Sequence, residues 1–254
     1  MKALVPMGRF NVDIVMRWLA AAAAAATEAE LVAAPEGCGR QLLFWHVMLR
    51  VCSGEVAIPE VADMAAAGAL EAFTDAAGGS ADSPGNGTGG VLGGWWFYVP
   101  WSVRIRAGGW RVDGVKVSRK LSALELVGPL VVVAAAADQL RNRRLVIWVD
   151  NAGSVAIWRK GYSNKCRLSS TLVAAMAAVA AGLGCQVEVV KITRCSSKGA
   201  VLADLVSKAR FWEFRERCMD WGLNMSAAPA RVPPVLLEWV CLPRPDDYLG
   251  HHIL

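Results

Sequence analysis

The sequence has few of the residues on which zinc sites and disulfide frameworks depend. Its three histidines are His46, His251 and His252, and none of them is spaced with a pair of cysteines as a zinc motif requires. The seven cysteines are odd in number and include no Cys-x-x-Cys pair. This pattern argues against a zinc site. It indicates reduced thiols in an intracellular protein of the cytoplasm or nucleus.

The sequence also lacks a long uncharged apolar run. Two apolar runs, 14–26 and 127–137, fall short of the roughly 20 residues that a membrane-spanning helix needs. The amino terminus has no basic region followed by a strongly apolar core, which a secretory signal would show. We therefore expect no membrane partner.

Charged residues are scarce at 19%, whereas hydrophobic residues make up 55% of the chain, so a globular fold is expected. The net charge is +5, and residues 71–216 carry 19 basic and 11 acidic residues. A positive central segment suggests a polyanionic partner, of which nucleic acid is the commonest. An ordinary basic domain without such a partner is the alternative reading.

The first half of the chain divides into a helical part and a part rich in strand signals. Helices are predicted at 13–33 and 40–51, followed by a strand at 70–76. The stretch 78–94 is rich in Gly, Ser, Asp and Asn and predicts a flexible hairpin loop. Two further antiparallel strands are predicted at 95–103 and 105–112.

The second half alternates between helices and strands. A helix is predicted from about Leu121, with a kink or a fresh start after Gly128 and Pro129. The later elements are a buried strand at 144–149, helices at 152–160 and 169–181, a strand at 186–192 and a last helix at 200–217. This order predicts an α/β fold. Its centre is a mixed five-stranded sheet, with three antiparallel strands and then parallel strands, flanked by helices.

Four acidic residues stand at the ends of these strands or within the helices. Asp75 and Asp150 close two strands, whereas Glu125 and Asp204 lie in helices. Ligand sites form beyond strand ends, and carboxylates gathered there repel one another unless a cation intervenes. Mg²⁺ prefers carboxylate oxygens and keeps open positions, and two such ions support phosphodiester hydrolysis. The four residues are therefore candidate metal ligands and catalytic residues.

Four segments in this order resemble a known family. They are FTDAA at 73–77, SALEL at 122–126, IWVDNAGSVAIWRKGYS at 147–163 and ITRCSSKGAVLADLVSKA at 192–209. They resemble the ribonuclease H region that follows the polymerase in reverse transcriptases, most closely that of DIRS-type (tyrosine-recombinase) retrotransposons. The tail LEWVCLPRPDDYLGHHIL at 237–254 resembles sequence that follows this region in such elements.

The resemblance implies a ribonuclease H-like domain at 71–217. Residues 1–70 would be the helical trailing part of a polymerase or connection region, and 218–254 a C-terminal extension. The implied activity is hydrolysis of the RNA strand of an RNA/DNA hybrid with two Mg²⁺ or Mn²⁺ ions, with the polymerase part of a larger polyprotein as a further partner. In the family pattern, Asp75 would bridge both ions, Glu125 and Asp150 would serve the leaving group, and Asp204 would hold the ion that orients water.

Basic residues between 141 and 167, Arg159 and Lys160 among them, are candidates for contacts to substrate phosphates. Asn151 follows Asp150 and is expected to cap the next helix or to contact a sugar. Many family members carry a mobile histidine about ten residues before the last aspartate. This chain has Arg194, Cys195 and Lys198 in that neighbourhood, and Arg194 and Lys198 are further candidates for substrate binding.

Two alternatives stay open at this point. The first is a catalytically decayed or repurposed domain that binds nucleic acid without cleaving it. The second is a different nuclease on the same scaffold, since one fold hosts many activities.

Overall fold

The computed structural model describes residues 68–78, 85–106, 111–112, 115–116, 120–194 and 196–233. The helices predicted at 13–33 and 40–51 lie outside the described residues, as do most of the two predicted flanks.

Five strands form the central sheet. The strands are β1 (Leu70–Ala76), β2 (Gly87–Leu92), β3 (Trp95–Pro100), β6 (Arg144–Val149) and β7 (Gln186–Lys191), in the spatial order β3-β2-β1-β6-β7. β1 pairs antiparallel with β2, as does β2 with β3, whereas β1 pairs parallel with β6 and β6 with β7. The prediction of a mixed five-stranded sheet is therefore confirmed. Two short strands, β4 (Arg111–Val112) and β5 (Val115–Lys116), form a separate hairpin.

Helices flank the sheet. They are α1 (Val103–Arg106), α2 (Leu121–Ala135), α3 (Ala137–Leu140), α4 (Ala152–Lys160), α5 (Arg167–Gly182), α6 (Lys198–Ser207) and α7 (Phe211–Asp220). Across the ranges that the structure describes, no helix combines the length and the apolar character needed to cross a membrane.

Each face of the sheet has its own hydrophobic core. On one face α2 packs against β1 and β2, and α5 packs against α2, burying residues such as Leu124, Ile147 and Met176. On the other face α6 packs against the three antiparallel strands, and α7 packs against α6 around Leu202 and Phe214. β1 thus lies between two helices and is held from both sides.

The strand β2 lies inside the stretch 78–94 that the sequence predicts as a loop, so that prediction is wrong. All six residues of β2 are buried between β1 and β3. Glycine weakens a strand when it stands alone, but here the flanking strands supply the hydrogen bonds and the close packing requires residues without side chains. The prediction of a sheet strand at 105–112 is also wrong, because α1 extends to Arg106 and Arg111–Val112 pairs with Val115–Lys116 in the separate hairpin.

Gly89 of β2 sets the distance between the sheet and α6. A Cβ atom at this position would lie 2.6 Å from Val206 Cγ1 and 2.7 Å from the Ser207 nitrogen. We expect Gly89→Ala to lower the free energy of unfolding by about 1–3 kcal/mol, as overpacking does in tight cores. Chemical denaturation measures the change. Gly78→Ala is the matched control, since nothing lies within 4 Å of a Cβ there. Equal stability of both variants would contradict the close packing of α6.

Two predicted helices differ from the structure. The fresh start after Gly128 is wrong, because α2 continues through Pro129 to Ala135. The single helix predicted at 200–217 is two helices, separated at Ala209, whose φ of 55° is left-handed. The sequence has neither Gly nor Pro at this break, so no local signal marks it.

The chain after α7 covers the outer edge of β3. The Ser226 amide donates to the Gly94 carbonyl at 2.7 Å, and the Ala230 amide donates to the Trp96 carbonyl at 2.7 Å. The Trp96 indole in turn donates to the Ser226 carbonyl at 3.1 Å. These hydrogen bonds pair backbone groups along an edge of the sheet that would otherwise be exposed. The packing of this domain therefore continues beyond residue 217.

Candidate metal centre

The pairing of β1 with β6 places two aspartates side by side. Leu70 pairs with Leu145 and Phe73 with Trp148, and the same register carried two residues further aligns Asp75 with Asp150. Paired residues of parallel strands point to the same face, and neighbouring strands lie about 4.8 Å apart. Phe73 and Trp148, two residues earlier in each strand, lie on the same face, and their stacked rings have centroids 6.3 Å apart.

Glu125 reaches the same point from α2. The helix passes close to the sheet because Gly128 lies against Thr74 and Thr88: a Cβ at Gly128 would be 2.9 Å from Thr74 Cβ and 2.9 Å from Thr88 Oγ1. This close approach brings Glu125, one turn earlier in the helix, to the end of β1. There the Glu125 carboxylate accepts a hydrogen bond from the backbone of Ala76.

Asp75, Glu125 and Asp150 together form a carboxylate cluster. Each contributes one oxygen, and these three oxygens lie within 4.8 Å of one another. Asp75 and Glu125 are buried, at 6% and 5% exposure, and Asp150 is partly exposed. The Glu125 Oε2 atom is buried and accepts no hydrogen bond. An unpaired buried oxygen is costly, and a cation bound at the cluster would satisfy it.

Burial and mutual repulsion change the protonation of this cluster. Desolvation, followed by the charges of Asp75 and Asp150, raises the pKa of Glu125 to about 9. Desolvation also raises the pKa of Asp75, and the neighbouring charges of Asp150 and Asp204 add to this, although the Ser207 hydrogen bond opposes them. Without a metal ion, Glu125 is therefore neutral at neutral pH. The cluster holds this proton because Glu125 is desolvated and lies beside two other carboxylates.

Asp204, the fourth predicted ligand, borders the cluster from α6. Its two carboxylate oxygens accept hydrogen bonds from Lys208 Nζ at 2.7 and 2.8 Å. One residue before Lys208, the Ser207 hydroxyl donates to Asp75 Oδ2 at 2.5 Å. Neither Ser207 nor Lys208 was predicted from the sequence. Their spacing of three and four residues from Asp204 places all three on one helix face and is the signal that would have found them.

Arg194 covers the carboxylates from the solvent side. Its Nη2 atom lies 2.8 Å from Asp150 Oδ2 and 3.6 Å from Asp75 Oδ1, and its Nε atom lies 3.6 Å from Asp204 Oδ1. Nε also donates to Asp150 Oδ2 at 3.0 Å. A residue predicted to bind substrate thus contacts three of the four predicted ligands.

The other predicted substrate residues make different contacts. Asn151 caps α4, since its Oδ1 accepts a hydrogen bond from the Ser154 amide at 3.1 Å, as expected. Arg159 and Lys160 are exposed in the last turn of α4, about 11–12 Å along the helix axis from its first residue at the usual helical rise. Lys198 begins α6, and its ammonium group lies 5.6 Å from the centre of the Trp221 ring.

The residues present fit a hard divalent cation. All donors of the cluster are carboxylate oxygens, which Mg²⁺ and Mn²⁺ prefer, whereas zinc sites use nitrogen and sulfur ligands more often. The partial exposure of Asp150 leaves one side of the cluster open to a substrate. An open site of this kind suits catalysis better than a closed structural site does.

No protein-family model and no curated protein matches the chain. Function is therefore inferred from the sequence, the fold and the carboxylate cluster.

Proposed function

We propose that the protein is a metal-dependent nuclease that hydrolyses the RNA strand of RNA/DNA hybrids. The observation that carries the proposal is the carboxylate cluster, whose three oxygens lie within 4.8 Å of one another at the ends of the neighbouring parallel strands β1 and β6. The buried, unpaired oxygen of Glu125 points to a ligand that is a cation.

The layout of the sheet supports this assignment. Three antiparallel strands are followed by two parallel strands joined through helices, which is compatible with a ribonuclease H-like domain. The four segments that resemble the ribonuclease H region of DIRS-type reverse transcriptases contain the four carboxylates, and they contribute β1, α2, β6 and α6. A chain that had only a common α/β fold would not need acidic residues at these four places.

The carboxylates have distinct tasks in the proposed reaction. Asp75, Glu125 and Asp150 would hold the first ion, and Asp204 would contribute to the second. When bound, such ions supply a nucleophilic water and stabilise the leaving 3′ oxygen. Ser207 fixes the Asp75 carboxylate by its hydrogen bond, and the packing of Gly128 fixes the approach of Glu125. The chain thereby provides a set of oxygens that is already arranged for the cation.

The charge distribution supports a nucleic acid as substrate. Arg159 and Lys160 lie at the end of α4, and the first residues of this helix follow Asp150 closely. A substrate strand bound at the cluster would therefore have phosphates near these two basic groups, about one helix length away. An RNA/DNA hybrid is distinguished from DNA by contacts to the 2′-hydroxyl groups of its RNA strand.

The test is cleavage of end-labelled substrates of one sequence prepared as an RNA/DNA hybrid, duplex RNA, duplex DNA and single-stranded RNA. We expect cutting only of the RNA strand of the hybrid, only with Mg²⁺ or Mn²⁺, and none after chelation. Binding of each substrate is measured in parallel, by fluorescence anisotropy with Ca²⁺.

A second function has one observation in its favour. Arg194 and Lys208 neutralise Asp150 and Asp204 without a metal ion, which would suit a domain that binds nucleic acid without cleaving it. Tight binding of the hybrid with no cutting under any metal would establish that function. Equal or faster cutting of duplex DNA would instead indicate a different nuclease on the same scaffold.

A further inference from the structure

The most exposed member of the site is also its most connected cation. The Arg194 side chain is 55% exposed, whereas those of Asp75, Asp150 and Asp204 are 7%, 22% and 15% exposed. It comes from the loop between β7 and α6, two residues after Ile192, whose amide still pairs with the Val149 carbonyl. The Arg194 guanidinium therefore lies between the carboxylates and the solvent. The backbone of its loop is held beside β6 by the Ile192 hydrogen bond.

We propose that Arg194 is an exchangeable counter-ion, which neutralises the carboxylate cluster while it is free of metal and leaves it when a divalent cation binds. This inference rests on the proposed function, since it assumes that the cluster is a metal site. It adds that metal binding and the Arg194 ion pairs compete for the same oxygens.

Competition follows from the geometry of Asp150. Its Oδ2 atom accepts a hydrogen bond from Nε of Arg194 at 3.0 Å, and Nη2 of the same guanidinium lies 2.8 Å from that oxygen in an ion pair. Mg²⁺ binds oxygens at about 2.0–2.1 Å in a nearly octahedral shell, and this requires the lone pairs that the guanidinium uses. A second cation at hydrogen-bond distance would also repel the ion. Both cannot hold this oxygen together.

Departure of Arg194 is easier than departure of the other nearby cation. Its guanidinium already faces solvent and its contacts to Asp75 and Asp204 are long, at 3.6 Å each. Lys208 is less exposed, at 37%, and binds both oxygens of Asp204 from the residue that follows α6. The first ion would thus displace Arg194 and leave the Lys208 pair in place.

A released Arg194 gains a second task. It stays on the loop beside the cluster, and its guanidinium is free to form two parallel hydrogen bonds with a phosphate oxygen pair. The same side chain would then neutralise the site before metal binding and contact the hybrid afterwards. Substrate binding and metal binding would favour each other through this one residue, because each removes Arg194 from the carboxylates.

The exchange is tested by metal affinity, measured by calorimetry with Mg²⁺ or by the paramagnetic signal of free Mn²⁺. We expect Arg194→Gln to bind the first ion about tenfold more tightly than the native protein and to be less stable without metal. Arg194→Lys, which keeps the charge but not the fork, is expected to fall between the two. Arg144→Gln is the matched control: it removes an exposed ion pair with Glu188, about 20 Å along β6 from Asp150, and its affinity should stay within about twofold of native.

A second measurement needs no variant. In the native protein we expect the Arg194 Nε–H that donates to Asp150 to give a ¹⁵N-coupled signal protected from exchange, and we expect Mg²⁺ to remove that protection. Equal or weaker metal binding by Arg194→Gln, or protection that persists with Mg²⁺ bound, would overturn the exchange while leaving the proposed nuclease intact. Absence of metal binding in the native protein and in every variant would overturn both.

Discussion

Asp150→Asn is expected to reduce kcat/KM for hybrid cleavage by about a thousandfold or more, because metal ligation supplies several kcal/mol of transition-state stabilisation. The substitution keeps the shape of the side chain but replaces a charged oxygen of the cluster with an amide. Asn also brings hydrogen-bond donors toward Asp75 and Glu125, where a cation is expected. Steady-state cleavage of a labelled hybrid with Mg²⁺ measures the loss.

Asp138→Asn is the matched control, since Asp138 is an exposed carboxylate in the first turn of α3. It should cleave the hybrid at the native rate. Asp150→Asn should still bind the hybrid in Ca²⁺, which would show that chemistry and not folding has been lost. Cleavage by Asp150→Asn at the native rate would remove the carboxylate cluster from the mechanism.

Glu125→Gln is expected to make the metal-free protein more stable at alkaline pH, although it removes a candidate metal ligand. The pKa of Glu125 in the folded protein is about 9, against an ordinary value of 4.5, so folding favours the protonated form. The stability from this group is complete below about pH 4.5 and is lost as the pH rises toward 9. Between about pH 5 and pH 8 the loss amounts to about 4 kcal/mol. Gln imitates the neutral form and does not ionise.

The measurement is denaturant unfolding of native protein and Glu125→Gln, with chelator, across that pH range. The native free energy of unfolding should fall as the pH rises, and the variant should show a flatter profile. Glu188→Gln, which removes an exposed carboxylate, should retain the native slope. With Mg²⁺ the native protein should have the higher free energy of unfolding, since it gains stability from the ion and Glu125→Gln gains little. Parallel profiles for native and Glu125→Gln proteins would contradict the protonated state of Glu125.

The placement of Asp75 and Asp150 was predictable because it follows from strand ends. The run 144–149 is apolar without alternation, as in a strand buried on both faces, and it stops at Asp150. Asp75 is the next-to-last residue of β1, and the parallel pairing of β1 with β6 aligns it with Asp150. Local patterns therefore contain enough information to bring Asp75 and Asp150 together.

Other features of the fold and of the site depend on contacts between residues that are far apart in the sequence. Nothing in the glycine-rich segment of β2 indicates a strand until α6 lies across Gly89, more than a hundred residues later. The insertion of Arg194 among the carboxylates is likewise invisible in the sequence, where it is one cation in a short basic loop. The unpaired oxygen of Glu125 is a result of burial by helix and sheet together. Such features arise only when the whole fold is assembled.

The aligned register of β1 and β6 also determines which changes of length the chain tolerates. One residue inserted within β1 ahead of Asp75 would turn its side chain to the opposite face, toward α2 and away from Asp150, because successive residues of a strand alternate between faces. The same holds for a deletion within β6. Insertions between the strands leave this alignment intact. Variation in length among sequences that keep this site should therefore be confined to the connecting segments, with both strands constant in length.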